Sequence, residues 1–424
     1  MNNKQGTLLA FCLITSLFFL WGFAHNLDPI LIPHLKKSFT LTTTQATLVD
    51  SAVFVAYFIM ALPAGLLMKK AGYKAGIITG LLFFAIGCFL FIPAADMQSY
   101  DFFLVALFVI ACGLTILETA ANPYATVLGN PETGAQRLNF AQSFNGLAAA
   151  LAPVIGARII LTKGYTAEEL NAMSDAVRKT ALAAEAATVK MPYTVLGILL
   201  IIIALIFLVI KLPAITTDKD AGSPSKNVFH ALRHNHLAWG TVAQFFYVGA
   251  QVSVFSLFIL YATRSAGISE VKAADYLGVC GIAFLVGRFA GTVLMQKVKP
   301  PALLFLYAII NVLLCTIAIF GTGMITVYAV IGICFFMSVM FPTIFALGIK
   351  NLGADTQYGS SLIIMSIVGG AILPRIFGYI SDATGNIQHG YIVPLICFVI
   401  IAVFGYKGHR IHTSDLQTKV IPLN

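Results

Sequence analysis

Thr115, Glu118, Thr119 and Asn122 sit in a largely apolar stretch, and their three- and four-residue spacings place them on one face of a helix. A carboxylate at the centre of a membrane helix costs about 2.5–3.5 kcal/mol on insertion scales, so one that is kept there faces a cavity or a partner. A second polar stripe follows at Asn139, Gln142 and Asn145, and a third at Gln244, Tyr247 and Gln251. Near the start of the chain come His25, Asn26 and Asp28, then Pro29 and Pro33, with Asp50 further on. Amides and carboxylates grip vicinal hydroxyls in two-pronged fashion, and rings such as Tyr247 and Phe341 cover apolar C–H faces. The set Asn26, Glu118, Asn122, Gln142, Asn145, Gln244, Tyr247, Gln251 and Phe341 therefore suits a neutral, polyhydroxylated ligand.

Glu118, Asp28 and Asp50 are the candidates for carrying a coupling cation. A carboxylate among amides can alternate between charged and neutral forms, and oxygens near Asp28 and Asp50 could instead hold Na⁺. A phosphorylated ligand would call for clustered Arg or Lys inside the spans, and none is clustered. Arg375, beside Pro374, is either a charge partner for Asp28 or Asp50 or an anchor for an acidic substrate. The second role would make the protein an organic-acid or drug transporter. Asn139 has the alternative of simple interhelical bonding. Arg288, Arg158 and Asp382 lie nearer helix ends and are expected to snorkel or lock loops.

The elements that must position these groups are membrane helices. Of 424 residues 59% are hydrophobic and 10% charged, and mean hydropathy is +0.89. A soluble domain carries about 25% charged residues and could not wet this surface. Unbroken apolar runs at 195–212 and 303–320 are long enough to cross roughly 30 Å of hydrocarbon as helices, and lack the alternation of a barrel. The run at 8–23 is read as a first span that is kept, not a signal peptide. Seven cysteines, all in apolar runs, are expected to be buried packing residues. The net charge of +9 is scattered through loops and fits anionic lipid, with no nucleic acid as partner.

About twelve apolar segments follow one another, which makes the predicted fold all-α with twelve transmembrane helices. An even number puts both termini on one side. Lys4, Lys69, Lys70, Lys74, Arg137, Lys211, Lys350 and Lys407 among others lie there, against Lys36, Lys37, Lys163, Lys190 and a few more opposite. That bias, roughly two to one, predicts cytoplasmic termini. Residues 213–235 form a polar linker at the midpoint, dividing a six-helix half at 1–212 from another at 236–424 with a short tail. PYATVLG at 123–129 echoes PTIFALG at 342–348, and Pro153 echoes Pro374. A shift of about 220 residues thus superposes the halves, the parallel repeat of the major facilitator architecture. The segment 164–190 is expected to form an exposed surface helix. No GxxxxGK[ST], metal-ligand spacing or nucleophile elbow occurs, so neither an enzyme nor an ATP-driven pump is expected, and no cofactor. A sensor is not expected either, for want of a signalling domain. GIITGLLFFAIG at 76–87 reads as small-residue helix contacts.

FFLWGFAHNLDPILIP, YFIMALPAGLLMKKAGYKAGIITGL, LETAANPYATVLG, RLNFAQSFN, QFFYVGAQ, GRFAGT and FPTIFALGIKNLGADTQYGSS cover both halves. In these stretches the chain resembles the fucose–galactose–glucose–proton symporter family of the major facilitator superfamily. The resemblance implies cation-coupled uptake, with H⁺ or Na⁺, of a monosaccharide by alternating access, in a bacterial inner membrane; a monomer is expected because one chain contains both halves. It implies that Glu118 takes part in sugar binding and coupling, and that Asn26, Gln142 and Asn145 line the same cavity. One departure stands out. The family's usual first-helix pattern is NLND, whereas this chain reads Asn26-Leu27-Asp28-Pro29, and Asp50 stands where the family tends to have Gln. One residue is about 100° of helix rotation, so the coupling role of the usual Asp is not carried over.

Overall fold

In a computed structural model of the protein, the described residues are 3–25, 35, 38, 39, 48–160, 172–210, 212 and 228–411; of these, the side chains of 3–8, 50, 51, 150, 153, 154, 156–160 and 270 are excepted. All the regular elements among them are helical. The N-terminal half comprises α1 (Asn3–His25), α2 (Leu48–Asp96), α3 (Tyr100–Val127), α4 (Gly134–Ile160), α5 (Asp175–Ala187) and α6 (Lys190–Val209). The C-terminal half comprises α7 (Asn235–Ser256), α8 (Phe258–Ala266), α9 (Glu270–Leu294), α10 (Pro300–Phe320) and α11 (Met324–Met337). It is completed by α12 (Met340–Gly348), α13 (Thr356–Met365), α14 (Gly369–Thr384) and α15 (Ile392–Val403).

Among the described residues, eight helices, or nine with the bent pair α7–α8, are long and apolar enough to cross a membrane. That tally treats Ala52–Asp96 as one span of 45 residues. At about 1.5 Å per residue it is far longer than a roughly 30 Å core, so it holds two spans. Gly72 breaks it with φ +81°, a left-handed turn that only glycine adopts without strain. The sequence places a loop here, yet the helical windings continue on both sides of that single residue. With the shorter apolar helix Leu9–His25 and α4, the twelve segments are all found.

Each half is sealed by close helix contacts where side chains are small. A Cβ on Gly113 would lie 2.5 Å from the Phe84 nitrogen, and one on Gly87 2.6 Å from the Ile110 nitrogen. The glycines of GIITGLLFFAIG, with Gly113 opposite them, therefore let α2 and α3 touch backbone to backbone. In the C-terminal half α7 packs on α12, α14 and α15, while α10 covers α11 and α15. The halves meet where α13 lies on α2 and α3, and where α4 lies on α9 and α12. Exposed apolar side chains such as Ile59, Ile202, Leu208, Val293 and Leu313 need no cover in hydrocarbon, which is as apolar as they are. Six cysteines are buried as expected, but Cys12 is exposed on the outer face of α1. The surface helix is present as α5, with most of its residues exposed. Of the predicted linker, 213–227 lies outside the described residues.

Candidate functional site

Glu118 is a partly buried carboxylate on α3, and Tyr57 of α2, itself only 4% exposed, donates its hydroxyl to Glu118 Oε1 at 2.7 Å. A hydrogen bond to a charged acceptor in a medium of low dielectric is worth more than one in water. One turn on, Asn122 is fully buried, and its Oδ1 accepts from Gln142 Nε2 of α4 at 3.1 Å. Asn122 Nδ2 has no protein acceptor. The face read from sequence is real, but Thr115 and Thr119 spend their hydroxyls on the carbonyls of Ala111 and Thr115, both at 2.7 Å. Their protons are thereby spent within the helix, leaving a ligand only the oxygen lone pairs. Asn145 packs against α1, where a Cβ on Gly22 would stand 2.8 Å from its Nδ2. Asn139 bonds the Ala135 carbonyl at 2.9 Å and Thr343 Oγ1 at 3.0 Å, the interhelical role noted as its alternative.

From the C-terminal half, Gln244 and Tyr247 project from α7 and are fully buried. Both amide atoms of Gln244 lack a partner among the described residues. Tyr247 meets the Phe341 ring edge to face, with centroids 6.2 Å apart. Gln251 lies half-buried two turns along from Gln244. Arg375 is exposed on α14 and makes no ion pair among the described residues. Asn26 and Asp28 lie outside the described residues, as does the side chain of Asp50. Of the three coupling candidates, Glu118 is therefore the one the structure places. No group of three or more His, Cys, Asp or Glu that could hold a metal ion occurs among the described residues.

Arg288 corrects the sequence reading. Expected to snorkel or to lock a loop, it is instead 4% exposed inside α9. Its Nε donates to the Ser338 carbonyl at 2.8 Å and its Nη1 to the Gln142 carbonyl at 2.9 Å, with the guanidinium 4.6 Å from the Phe284 ring centre. The reason lies in α12. Ser338 would ordinarily give its carbonyl to the N–H four residues on, but residue 342 is proline and has none. A proline four residues after a small polar residue is the signal that could have been read. Pro123 does the same to Thr119, whose carbonyl takes a hydrogen bond from Ser360 Oγ at 2.8 Å.

These contacts close one end of the bundle. Lys69 Nζ donates to the Tyr358 hydroxyl at 2.7 Å, and Lys350 bridges to Glu132 at 2.9 Å. Both pairs cross between the halves, as do Asn139–Thr343, Thr119–Ser360 and Gln142–Arg288. Following the helices up and down from α1 puts all five toward the end that carries the chain termini. The Lys350 ammonium holds the exposed Glu132 carboxyl below the usual carboxylate range. Loops there are locked too: Arg137 reaches the Asn130 carbonyl at 2.8 Å and the carbonyl of Thr126.

The sequence model of the Major Facilitator Superfamily matches residues 8–359. The L-fucose-proton symporter of Escherichia coli (strain K12) is 43% identical over 410 residues, 95% of this chain and 94% of that protein. A glucose/galactose transporter of Brucella abortus is also 43% identical, over 411 residues and 96% of both chains. The E. coli fucose:proton symporter FucP, solved in the outward conformation, superposes with a TM-score of 0.88 at 42% identity, covering 95% of this chain and 99% of that one. The proton:xylose symporter XylE, at TM-score 0.67 and 14% identity over 96% of each chain, shares the fold. A carboxylate, its tyrosine and a row of amides between two pseudo-symmetric halves thus sit in a chain that belongs to the fucose–galactose–glucose–proton symporter family of the major facilitator superfamily.

Proposed function

We propose that the protein takes up a neutral monosaccharide, of the fucose, galactose or glucose type, together with protons, by alternating access. The observation that carries this is the Tyr57–Glu118 pair one helical turn from the Asn122–Gln142 pair. The ionised Glu118 accepts the tyrosine hydrogen bond; once protonated it becomes a donor as well. A proton from the open side binds the carboxylate lone pair, access to the neutral group and the bound sugar switches to the other side, and sugar and proton leave there. The unpartnered Asn122 Nδ2 on one half and the Gln244 amide on the other supply donors and an acceptor that hydroxyl groups can use. An amide with no partner in a buried place costs about 1–3 kcal/mol, which a bound polyol relieves.

Two further readings belong with this proposal. The end at which α1 begins is cytoplasmic, as the excess of Lys and Arg there indicates, so the described conformation is closed inward. The likeness to FucP in the outward conformation supports this. One chain contains both halves of the pathway, so a monomer is the working unit.

Purified protein in liposomes tests the proposal. Labelled L-fucose, D-galactose or D-glucose should accumulate under an inward proton gradient and not under a sodium gradient of equal size. Accumulation driven by sodium alone, or uptake of an organic acid with none of the three sugars, would overturn it.

A further inference from the structure

The shift of about 220 residues that lays Pro123 on Pro342 also lays Lys69 on Arg288. Each half therefore sends a cation from the same helical position across to the other half. Lys69 does so from an exposed site near the end of the bundle, onto the Tyr358 hydroxyl and over the Tyr358 ring at 4.4 Å. Its counterpart is deeply buried, and reaches the backbone of Gln142.

We infer that Arg288 is a positioning residue that ties the sugar site to closure of the inner end, holding Gln142 in place only while the two halves are shut there. The inference rests on the proposed sugar site. Three observations combine in it. The guanidinium bonds two backbone carbonyls on opposite halves, Ser338 and Gln142. The first bond is anchored, because Pro342 leaves the Ser338 carbonyl no other helical donor. The second is conditional, because Gln142 lies on α4 in the other half and must move away from α9 when the inner end opens. Gln142 is also the residue whose side chain pairs with Asn122. Opening therefore withdraws support from the backbone that presents the amide to the sugar, and does so from the C-terminal half, which otherwise has no bond to it among the described contacts. A lysine cannot substitute. Its ammonium is one nitrogen on a shorter reach, whereas the two carbonyls are met by separate nitrogens of the guanidinium, Nε and Nη1. The guanidinium carbon also lies 4.6 Å from the centre of the Phe284 ring, a cation–π contact that helps to hold it.

Arg288→Lys and Arg288→Met are the tests, each in a Cys12→Ser background carrying Thr343→Cys as a reporter. Thr343 is fully buried between the halves and becomes reachable by a membrane-impermeant maleimide once the inner end opens. In both variants labelling from the inner face should rise about tenfold, and the KM for sugar should rise by a similar factor, the range expected for losing a charged hydrogen bond. Turnover at saturating sugar should be kept or increased, since the lost contact has to break in every cycle. A merely structural arginine would instead lower the maximal rate and the yield of folded protein at unchanged KM and unchanged labelling. That result, or full rescue of both readouts by lysine, overturns the inference. Should Arg288→Met fail to fold, Arg288→Lys retains the buried charge and decides alone. If the unmodified protein binds no sugar, the transport reading falls, while the labelling arm still decides whether Arg288 holds the inner end shut.

Discussion

Replacing Gly65 with alanine should open the inner end of the protein. Gly65 lies on α2 where α13 crosses it, and a Cβ there would stand 1.9 Å from Ser361 Oγ, 3.0 Å from Ser361 Cβ and 3.1 Å from the Gln357 carbonyl. The serine hydroxyl can rotate aside, but the Cβ and the backbone carbonyl cannot without moving α13. Overpacking of this kind costs about 1–3 kcal/mol. The cost falls only on the state in which α2 and α13 touch, so the balance between inner-closed and inner-open forms shifts by roughly 5- to 150-fold. Maleimide labelling of Thr343→Cys in inside-out vesicles, in a Cys12→Ser background, measures that shift directly. Labelling should accelerate in Gly65→Ala, and sugar affinity measured from the outer face should fall with it. Gly65→Ala combined with Ser361→Gly removes the two nearest clashes and should return most of the effect. Unchanged labelling in the single variant, or no recovery in the double, would refute the claim that this contact sets the closed state.

Three further expectations can be checked on the same reconstituted protein. Glu118→Gln should abolish proton-driven accumulation while sugar exchange at equal concentrations survives, and Tyr57→Phe should slow accumulation about tenfold or more through loss of a charged hydrogen bond; accumulation intact in Glu118→Gln would remove its assigned role. Gln244→Leu should raise the thermal stability of the sugar-free protein by roughly 1–3 kcal/mol, because two unpartnered buried amide atoms are removed, and should weaken sugar binding; a loss of stability would show that the amide is satisfied in the resting protein. Glu132→Gln should leave the pH profile of uptake between about pH 5 and 8 unchanged, since a carboxyl already held below its ordinary value keeps its pair throughout that range and loses it only as pH falls through the lowered value. A profile displaced within that window would assign part of the proton dependence to this surface pair.

Much of the architecture was legible because hydrocarbon imposes it. Lipid offers no hydrogen bonds, so apolar runs of span length had to be helices, and the Pro123–Gly129 and Pro342–Gly348 echo marked the repeat. The polar exceptions were equally plain: a carboxylate at Glu118 is too costly to be accidental, and amide spacings three apart had to share a face. Spacing could not say which polar groups were free. Thr115 and Thr119 share the face of Glu118 but give their hydroxyl protons to carbonyls four residues back in their own helix, while the two amide atoms of Gln244 have no partner among the described residues; a spacing fixes the face and not the bonds made on it. Nor could a linear reading place Arg288, because distance from a helix end measures depth in the membrane and says nothing about whether a side chain points to lipid or inward. Only the packing of α4 on α9 and α12 decides that, through a carbonyl that Pro342 leaves without a donor. The sequence by itself determined a membrane-spanning, two-fold repeated helical protein with a carboxylate and amides in its interior, because solvation acts on each segment alone. The tertiary structure decided which of those groups meet and which end of the bundle is shut, because both are properties of contacts between the halves.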